Sequence, residues 1–196
     1  MLTGVIFSNK DGLKDLKIGA KMPLPEYQMI DPLNGDEVAL NSLMKSNGLL
    51  VIFSSNTCPY VIAWENTYSE LSALGSELSI GVAIINSNEA FRENQDTPES
   101  MAQKAIDLGY NAPYLIDQNH VLADAFGART TPHIYLFDGK AKLVYKGAID
   151  DRYEGGKKNQ PEINWLETAM NQLAKGEKVT PSTTREIGCS IKRVKK

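Results

Sequence analysis

Residues 49–64 read LLVIFSSNTCPYVIAW, and the spacing of their apolar residues changes in the middle of the stretch. The five successive apolar residues 49–53 are typical of a parallel strand that is buried on both faces. Pro59 suits the first position of a helix, and after it apolar side chains recur every three or four residues. We therefore predict a strand, a tight turn and a helix that ends at Gly75, with Cys58 at the start of the helix.

The flanking sequence extends this unit into an alternating α/β pattern. Apolar residues 80–85 predict a second buried strand, which gives a strand, helix and strand in succession and a parallel pair of strands. The other predicted elements are a β-hairpin around Asn34-Gly35, a helix from Thr97 to Leu108, a strand at 113–116, a short helix at 120–126, a β-hairpin with strands at 134–137 and 143–145, and a helix at 163–173 that ends at Gly176. This order favours a three-layer α/β sandwich.

The length of the chain, 196 residues, leaves room for one domain. We assign this domain to residues 17–176, after an N-terminal segment at 1–16 and before an extended tail at 177–196 that packs on the domain or trails from it. The longest apolar run is far shorter than the ~20 residues that span a bilayer. The N-terminus also lacks the basic and apolar regions of a signal peptide. We therefore expect a cytoplasmic protein without a membrane partner.

The charge of the chain argues against a nucleic-acid partner. Lys and Arg number 21 and Asp and Glu 24, and the net charge of −3 gives no overall basic footprint. The basic end, residues 192–196, is interpreted as a solvated tail. Two cysteines, Cys58 and Cys189, are too few for a disulfide scaffold, so any sulfur chemistry depends on these two thiols.

Cys58 lies where a thiol could be activated. Only the thiolate is an effective nucleophile, and the unpaired N–H groups and the dipole at a helix start favour the anion. Ser55 comes three residues earlier and could direct its hydroxyl toward the sulfur or toward a bound oxygen. The alternative interpretation is that Cys58 is a small, half-buried apolar residue.

The turn at residues 55–61, SNTCPYV, resembles the active-site turn of the thioredoxin-like superfamily. It is most similar to bacterial peroxiredoxin-like proteins of the alkyl hydroperoxide reductase/thiol-specific antioxidant class, whose motif usually reads CNHCPYV. Further similar stretches are IGAKMP at 18–23, IINSN at 84–88, Thr131-Pro132 and IGCSIK at 187–192. The resemblance covers roughly residues 17–192. It implies a thioredoxin-like three-layer sandwich with an N-terminal β-hairpin extension and an extended C-terminal tail.

One departure from the family motif matters for the chemistry. Ser55 replaces the first cysteine of the usual CxxC pair, so a dithiol cycle within this motif is unavailable. In peroxiredoxins the peroxidatic cysteine follows a Thr or Ser by three positions, as Cys58 follows Ser55, although Val51 stands where the full motif has proline. The resemblance thus implies that Cys58 is the redox nucleophile, with Ser55 and Thr57 as its hydrogen-bond partners.

The resemblance also implies roles for residues around Pro132. Arg129 is the candidate cation that lowers the pKa of the thiol and polarises a peroxide; a structural or surface arginine is the alternative. Thr131-Pro132 is expected to form a cis peptide bond, and the backbone of Thr131 is expected to face the thiol and to pair with an extended substrate. A trans proline at a strand edge is the alternative. Pro59, Thr131 and Pro132 are the predicted substrate-binding residues.

Cys189 lies 131 residues after Cys58, in the tail. It could resolve a sulfenic acid on Cys58 into a disulfide, or it could be a free thiol or a packing residue. His120 and His133 show no zinc-site spacing with the cysteines, so we predict local hydrogen bonds for them and no metal or organic cofactor.

Two hypotheses about function follow. The first is a thiol-based oxidoreductase and antioxidant of the peroxiredoxin-like type. In it Cys58 reduces a peroxide or another oxidised sulfur species, and Cys189 or an external thiol reductant restores the thiol. The second is a non-catalytic binding or scaffold protein that lost its redox pair. Its groove around Cys58, Thr131 and Pro132 would accept an extended segment of a partner.

Overall fold

The strands of the protein form one large mixed sheet and one small sheet. The computed structural model describes residues 12–153 and 159–195; of the predicted N-terminal segment, residues 1–11 lie outside this part. The strands are β1 (Met29–Ile30), β2 (Glu37–Val38), β3 (Gly48–Ser54), β4 (Ile80–Asn86), β5 (Tyr114–Ile116), β6 (Thr130–Thr131), β7 (His133–Asp138), β8 (Leu143–Gly147) and β9 (Cys189–Ser190). The large sheet has the order β2-β1-β5-β4-β3-β7-β8, and β6 pairs with β9 in the small sheet.

Helices cover both faces of the large sheet. They are α1 (Leu40–Leu43), α2 (Pro59–Trp64), α3 (Thr67–Glu77), α4 (Pro98–Asp107), α5 (Val121–Phe126) and α6 (Trp165–Ala174). Short 3₁₀ turns lie at Glu89–Phe91 and Gln118–His120. In the described part of the chain, no helix has the length and apolar character needed to cross a bilayer.

Side chains of β3 alternate between two apolar cores. Leu50 and Ile52 pack with residues of α2, α3 and α6 on one face of the sheet. Leu49, Val51 and Phe53 pack with residues of α5 on the other face. This alternation explains the unbroken apolar run, since a strand in the middle layer buries both sets of side chains. The three-layer α/β sandwich is therefore confirmed.

Strand pairing places the end of β3 next to the start of β7. β3 runs parallel to β4, with Ser54 opposite Asn86, and antiparallel to β7, with Phe53 opposite His133. The predicted N-terminal hairpin is also confirmed, since β1 and β2 are antiparallel and β1 extends the sheet beside β5. The turn after β3 thus emerges beside the segment that leads into β7.

The prediction of one helix from Pro59 to Gly75 is wrong in two respects. The helix is interrupted after Trp64, whose carbonyl accepts a hydrogen bond of 2.6 Å from the Thr67 hydroxyl. Its second part, α3, continues through Gly75. A Cβ atom on Gly75 would lie 2.8 Å from the Ile80 carbonyl oxygen, so the glycine allows the helix to approach the start of β4 rather than ending the helix.

The C-terminal tail returns to the domain and packs against it. β9 is antiparallel to β6, with Thr130 opposite Ser190 and Thr131 opposite Cys189. The following residue, Ile191, is buried in the same apolar core as Phe53. The tail therefore reaches the turn after β3, although it lies far from that turn along the chain.

Candidate functional site

Cys58 is the N-cap residue of α2, in the turn that follows β3. Its backbone has φ −66° and ψ 123°, and Pro59 occupies the first turn of the helix. The backbone N–H of Cys58 donates a hydrogen bond of 3.3 Å to the Ser55 hydroxyl. The Cys58 thiol donates to the Thr131 carbonyl oxygen at 3.0 Å, and the Thr131–Pro132 peptide bond is cis. The sulfur thus points at the backbone of β6, and only 5% of the residue is exposed.

The two hydroxyl side chains near Cys58 play different parts. Ser55 is completely buried, and its hydroxyl lies 3.4 Å from the Thr131 hydroxyl as well as accepting from the Cys58 N–H. It therefore holds the turn against β6. Thr57 is exposed and lines a cavity beside Cys58, and its hydroxyl donates a hydrogen bond of 3.2 Å to the Gln95 side-chain oxygen.

The second thiol of the site belongs to Cys189, in β9. Because Cys189 lies opposite Thr131 in the β6–β9 pair, its side chain lies near the Cys58 thiol, and both cysteines line the same cavity. Burial, followed by the contact with Cys58, raises the pKa of Cys189 to about 11; the charge of Lys192 and the Tyr60 N–H act in the opposite direction. Both cysteines are free thiols. At neutral pH the Cys189 sulfur is therefore protonated.

A cavity of about 340 Å³ opens beside the two thiols. It is lined by Ser55, Thr57, Cys58, Pro59, Asn88, Phe91, Gln95, Thr131, Cys189, Ser190 and Lys192. Lys192 was interpreted from the sequence as part of a solvated tail, and the structure corrects this, since the residue lines the cavity. Its Nζ atom lies 3.4 Å from the Ser190 hydroxyl and 5.9 Å from the centre of the Phe91 ring.

A buried carboxylate, that of Asp96, connects the parts of the site. It accepts hydrogen bonds from the Asn56 N–H at 2.7 Å, the Asn86 amide at 2.8 Å and the Asn88 amide at 2.9 Å. Asn88 in turn accepts the Lys192 N–H at 2.9 Å. Because each polar group has a partner, the network fixes the Cys58 turn and the tail relative to each other. No sequence motif indicated Asp96, although residues 84–88 belong to a stretch that resembles the family.

The comparison with known families agrees with this architecture. A family model described as a thioredoxin-like domain matches residues 38–154. The chain belongs to this thioredoxin-like family. No curated protein matches the chain.

Solved structures of similar proteins cover nearly the whole chain. A hypothetical protein from Sinorhizobium meliloti is 29% identical with a TM-score of 0.84, over 94% of this chain and 98% of that one. An uncharacterized conserved protein from Geobacillus kaustophilus is 29% identical with a TM-score of 0.83, over 92% of this chain and 94% of that one. A peroxidoxin from Mycobacterium tuberculosis is 15% identical with a TM-score of 0.55, over 82% and 93% of the two chains, which shows a shared fold.

The site of this thioredoxin-like protein gathers most of the residues singled out in the sequence, but not Arg129. The Arg129 guanidinium donates a hydrogen bond of 3.2 Å to the Leu13 carbonyl and does not line the cavity. The Arg129 carbonyl accepts from the Ile191 N–H at 2.9 Å and so supports the tail through the backbone. Among the residues that the structure describes, Lys192 is the cation that lines the cavity beside the thiols.

The two histidines make local contacts away from this cavity. His120 Nδ1 lies 2.9 Å from an oxygen of Asp124, and His133 Nδ1 lies 3.4 Å from the Tyr135 hydroxyl. Burial lowers the pKa of His133 to about 3, so its ring is neutral at physiological pH. In residues 12–153 and 159–195, no group of three or more His, Cys, Asp and Glu side chains has the arrangement of a metal site.

Proposed function

We propose that the protein is a two-thiol oxidoreductase in which Cys58 is oxidised by its substrate and Cys189 converts the product into an intramolecular disulfide. The observation that supports this most is the pairing of Cys189 with Thr131, whose carbonyl accepts the Cys58 thiol. Two reactive groups held beside the same residue, Thr131, need no large rearrangement to form a bond. The missing cysteine at Ser55 is thus replaced in space by a cysteine from the tail.

With a hydroperoxide as the oxidant, the first step oxidises Cys58. The Cys58 proton must leave, since only the thiolate attacks. The sulfur then forms a bond to the terminal peroxide oxygen, the O–O bond breaks, and the other oxygen leaves as an alcohol or water after taking a proton. Cys58 is thereby oxidised to a sulfenic acid and the peroxide is reduced.

The second step uses the thiol of Cys189. Its sulfur attacks the Cys58 sulfenic sulfur, an S–S bond forms, and the hydroxyl leaves as water with the proton of the Cys189 thiol. Because the pKa of Cys189 is raised to about 11, this thiol carries the proton that the departing hydroxyl takes up. Two molecules of an external thiol reductant then regenerate both cysteines and are themselves joined by a disulfide.

Intact-mass analysis after mild hydroperoxide treatment tests this function. We expect the wild type to lose two hydrogen atoms, Cys189→Ser to gain one oxygen that a sulfenic-acid probe traps, and Cys58→Ser to stay unchanged. Thr183→Ala, at an exposed tail residue that does not line the cavity, is the matched control and should behave as the wild type. An unmodified wild type, or equal peroxide consumption by Cys58→Ser, would instead support the non-catalytic binding protein.

A further inference from the structure

The C-terminal tail occupies the backbone edge that faces the reactive thiol. β9 pairs with β6 across Thr131, and the Ile191 N–H donates to the Arg129 carbonyl at 2.9 Å. At Gly188 a Cβ atom would lie 2.2 Å from the Thr131 carbonyl oxygen, so the tail passes in close contact. An extended polypeptide could reach this edge only by displacing the tail.

The tail is anchored by the three residues that directly follow β9. The Ile191 side chain is buried in the core below β3. The Lys192 N–H donates to Asn88 and the Lys192 carbonyl accepts from the Ala90 N–H, both at 2.9 Å. Arg193 donates to Asp124 at 2.8 Å and to the Ala128 carbonyl at 2.6 Å. These contacts keep the edge closed, because a competing strand would have to break them together.

What stays open is the small cavity beside the thiols. Its volume of about 340 Å³ lies at the lower end of ordinary ligand pockets. Only 5% of Cys58 is exposed. The terminal oxygen of a peroxide can therefore reach the Cys58 sulfur more easily than a disulfide can, because both substituted sulfur atoms of a disulfide must lie in line with the attacking sulfur. The site therefore fits a small oxidant better than a polypeptide.

The charge of the cavity indicates the kind of small oxidant. Among the described residues that line it, Lys192 supplies a cation and none supplies a carboxylate. Phe91 provides an apolar surface next to the Lys192 ammonium group. A ligand with a carboxylate and a short apolar body would satisfy both features, because an ammonium group forms charge-assisted hydrogen bonds with a carboxylate.

Building on the two-thiol function, we propose that Lys192 selects a small, negatively charged hydroperoxide as the substrate of Cys58. The tail then contributes to substrate specificity in two ways. Strand β9 covers the backbone edge of β6 and excludes polypeptides, and Lys192 binds the anionic group of the substrate. In this reaction the terminal peroxide oxygen is transferred to the Cys58 sulfur, as in the first step above, while the carboxylate of the substrate remains unchanged.

The test compares two matched oxidants, carboxycumene hydroperoxide and its neutral methyl ester. The readout is the ratio of the rate constants for forming the Cys58–Cys189 disulfide at low ionic strength. We expect the wild type to prefer the anion by about tenfold, Lys192→Met to bring the ratio close to one, and Lys192→Arg to restore the preference. Lys195→Met, an exposed lysine of the same tail, should keep the wild-type ratio.

The outcomes separate this proposal from the proposed function. Equal rate constants for the two oxidants in the wild type, or a loss of both rates with an unchanged ratio in Lys192→Met, would overturn the role of Lys192. Equally fast oxidation by a disulfide-bonded polypeptide would overturn the selection of small substrates. Failure of both hydroperoxides to form the disulfide would instead contradict the two-thiol function itself.

Discussion

A second cysteine in the turn would both support the turn and form a disulfide with Cys58. In this chain Ser55 supports the turn, and we propose that Cys189 forms the disulfide. The Ser55 hydroxyl accepts the Cys58 N–H and lies beside the Thr131 hydroxyl, so it supports the turn. Oxygen at this place cannot form a disulfide. In the proposed two-thiol function the redox partner of Cys58 therefore comes from elsewhere in the chain, and Cys189 lines the same cavity as Cys58.

The titration of Cys189 is a measurable consequence of its surroundings. Because its pKa is raised to about 11, first by burial and then by Cys58, the thiolate fraction at neutral pH is very small. Alkylation requires the thiolate, so we expect the labelling rate of Cys189 to rise about tenfold per pH unit from pH ~7 to ~10 without a plateau. Mass spectrometry of the tryptic peptide 186–192 follows this cysteine separately from Cys58.

The same peptide provides the control for this titration. In urea-unfolded protein, Cys189 should titrate near the ordinary cysteine value of ~8.5, because both causes of the shift are then absent. A plateau near pH ~9 in the folded protein would show that the thiol is more exposed to solvent than the structure indicates.

Elements set by local sequence were predictable, and those set by distant contacts were not. β3 and the start of α2 follow from an apolar run and a proline that are adjacent in sequence. β9 depends on pairing with Thr131, and the Lys192 backbone is held by Asn88, more than a hundred residues earlier. Such contacts have no local periodicity, so the sequence could name Cys189 as a candidate but could not place Lys192 in the site.

The break between α2 and α3 and the continuation of α3 past Gly75 show the same limit, and Gly75 tests the explanation. In an exposed helix Gly→Ala stabilises by up to about 1 kcal/mol. At Gly75 the added methyl would lie 2.8 Å from the Ile80 carbonyl oxygen and 2.9 Å from Val82, so we expect Gly75→Ala to lower the free energy of unfolding by about 1–3 kcal/mol. Urea denaturation measures this change.

An exposed neighbour in the same helix gives the comparison. Ser76→Ala should change the free energy of unfolding by less than about 0.5 kcal/mol. If Gly75→Ala were instead stabilising, the close approach of α3 to β4 would not be the reason for glycine at this position.

At the scale of the whole molecule, the sandwich connects the turn after β3 to the far end of the chain. The sheet places that turn beside β6, and the tail returns across the domain to pair there. A disulfide between Cys58 and Cys189 would therefore enclose most of the domain in one covalent loop, since 131 residues separate the two cysteines. Formation of this disulfide would link the redox state of the protein to its global stability.

The oxidised protein should consequently unfold at a higher temperature than the reduced protein. A cross-link that closes so long a loop lowers the entropy of the unfolded chain and stabilises the fold by roughly 2–5 kcal/mol, or about 5–15 °C in Tm for a chain of this length. Calorimetry of the oxidised and reduced wild type measures the difference, and Cys189→Ser treated with the same oxidant should show none of the gain. A lower Tm for the oxidised wild type would mean that the two sulfurs can form the bond only by distorting the reduced fold, because strain in the native state would then exceed the loss of entropy in the unfolded chain.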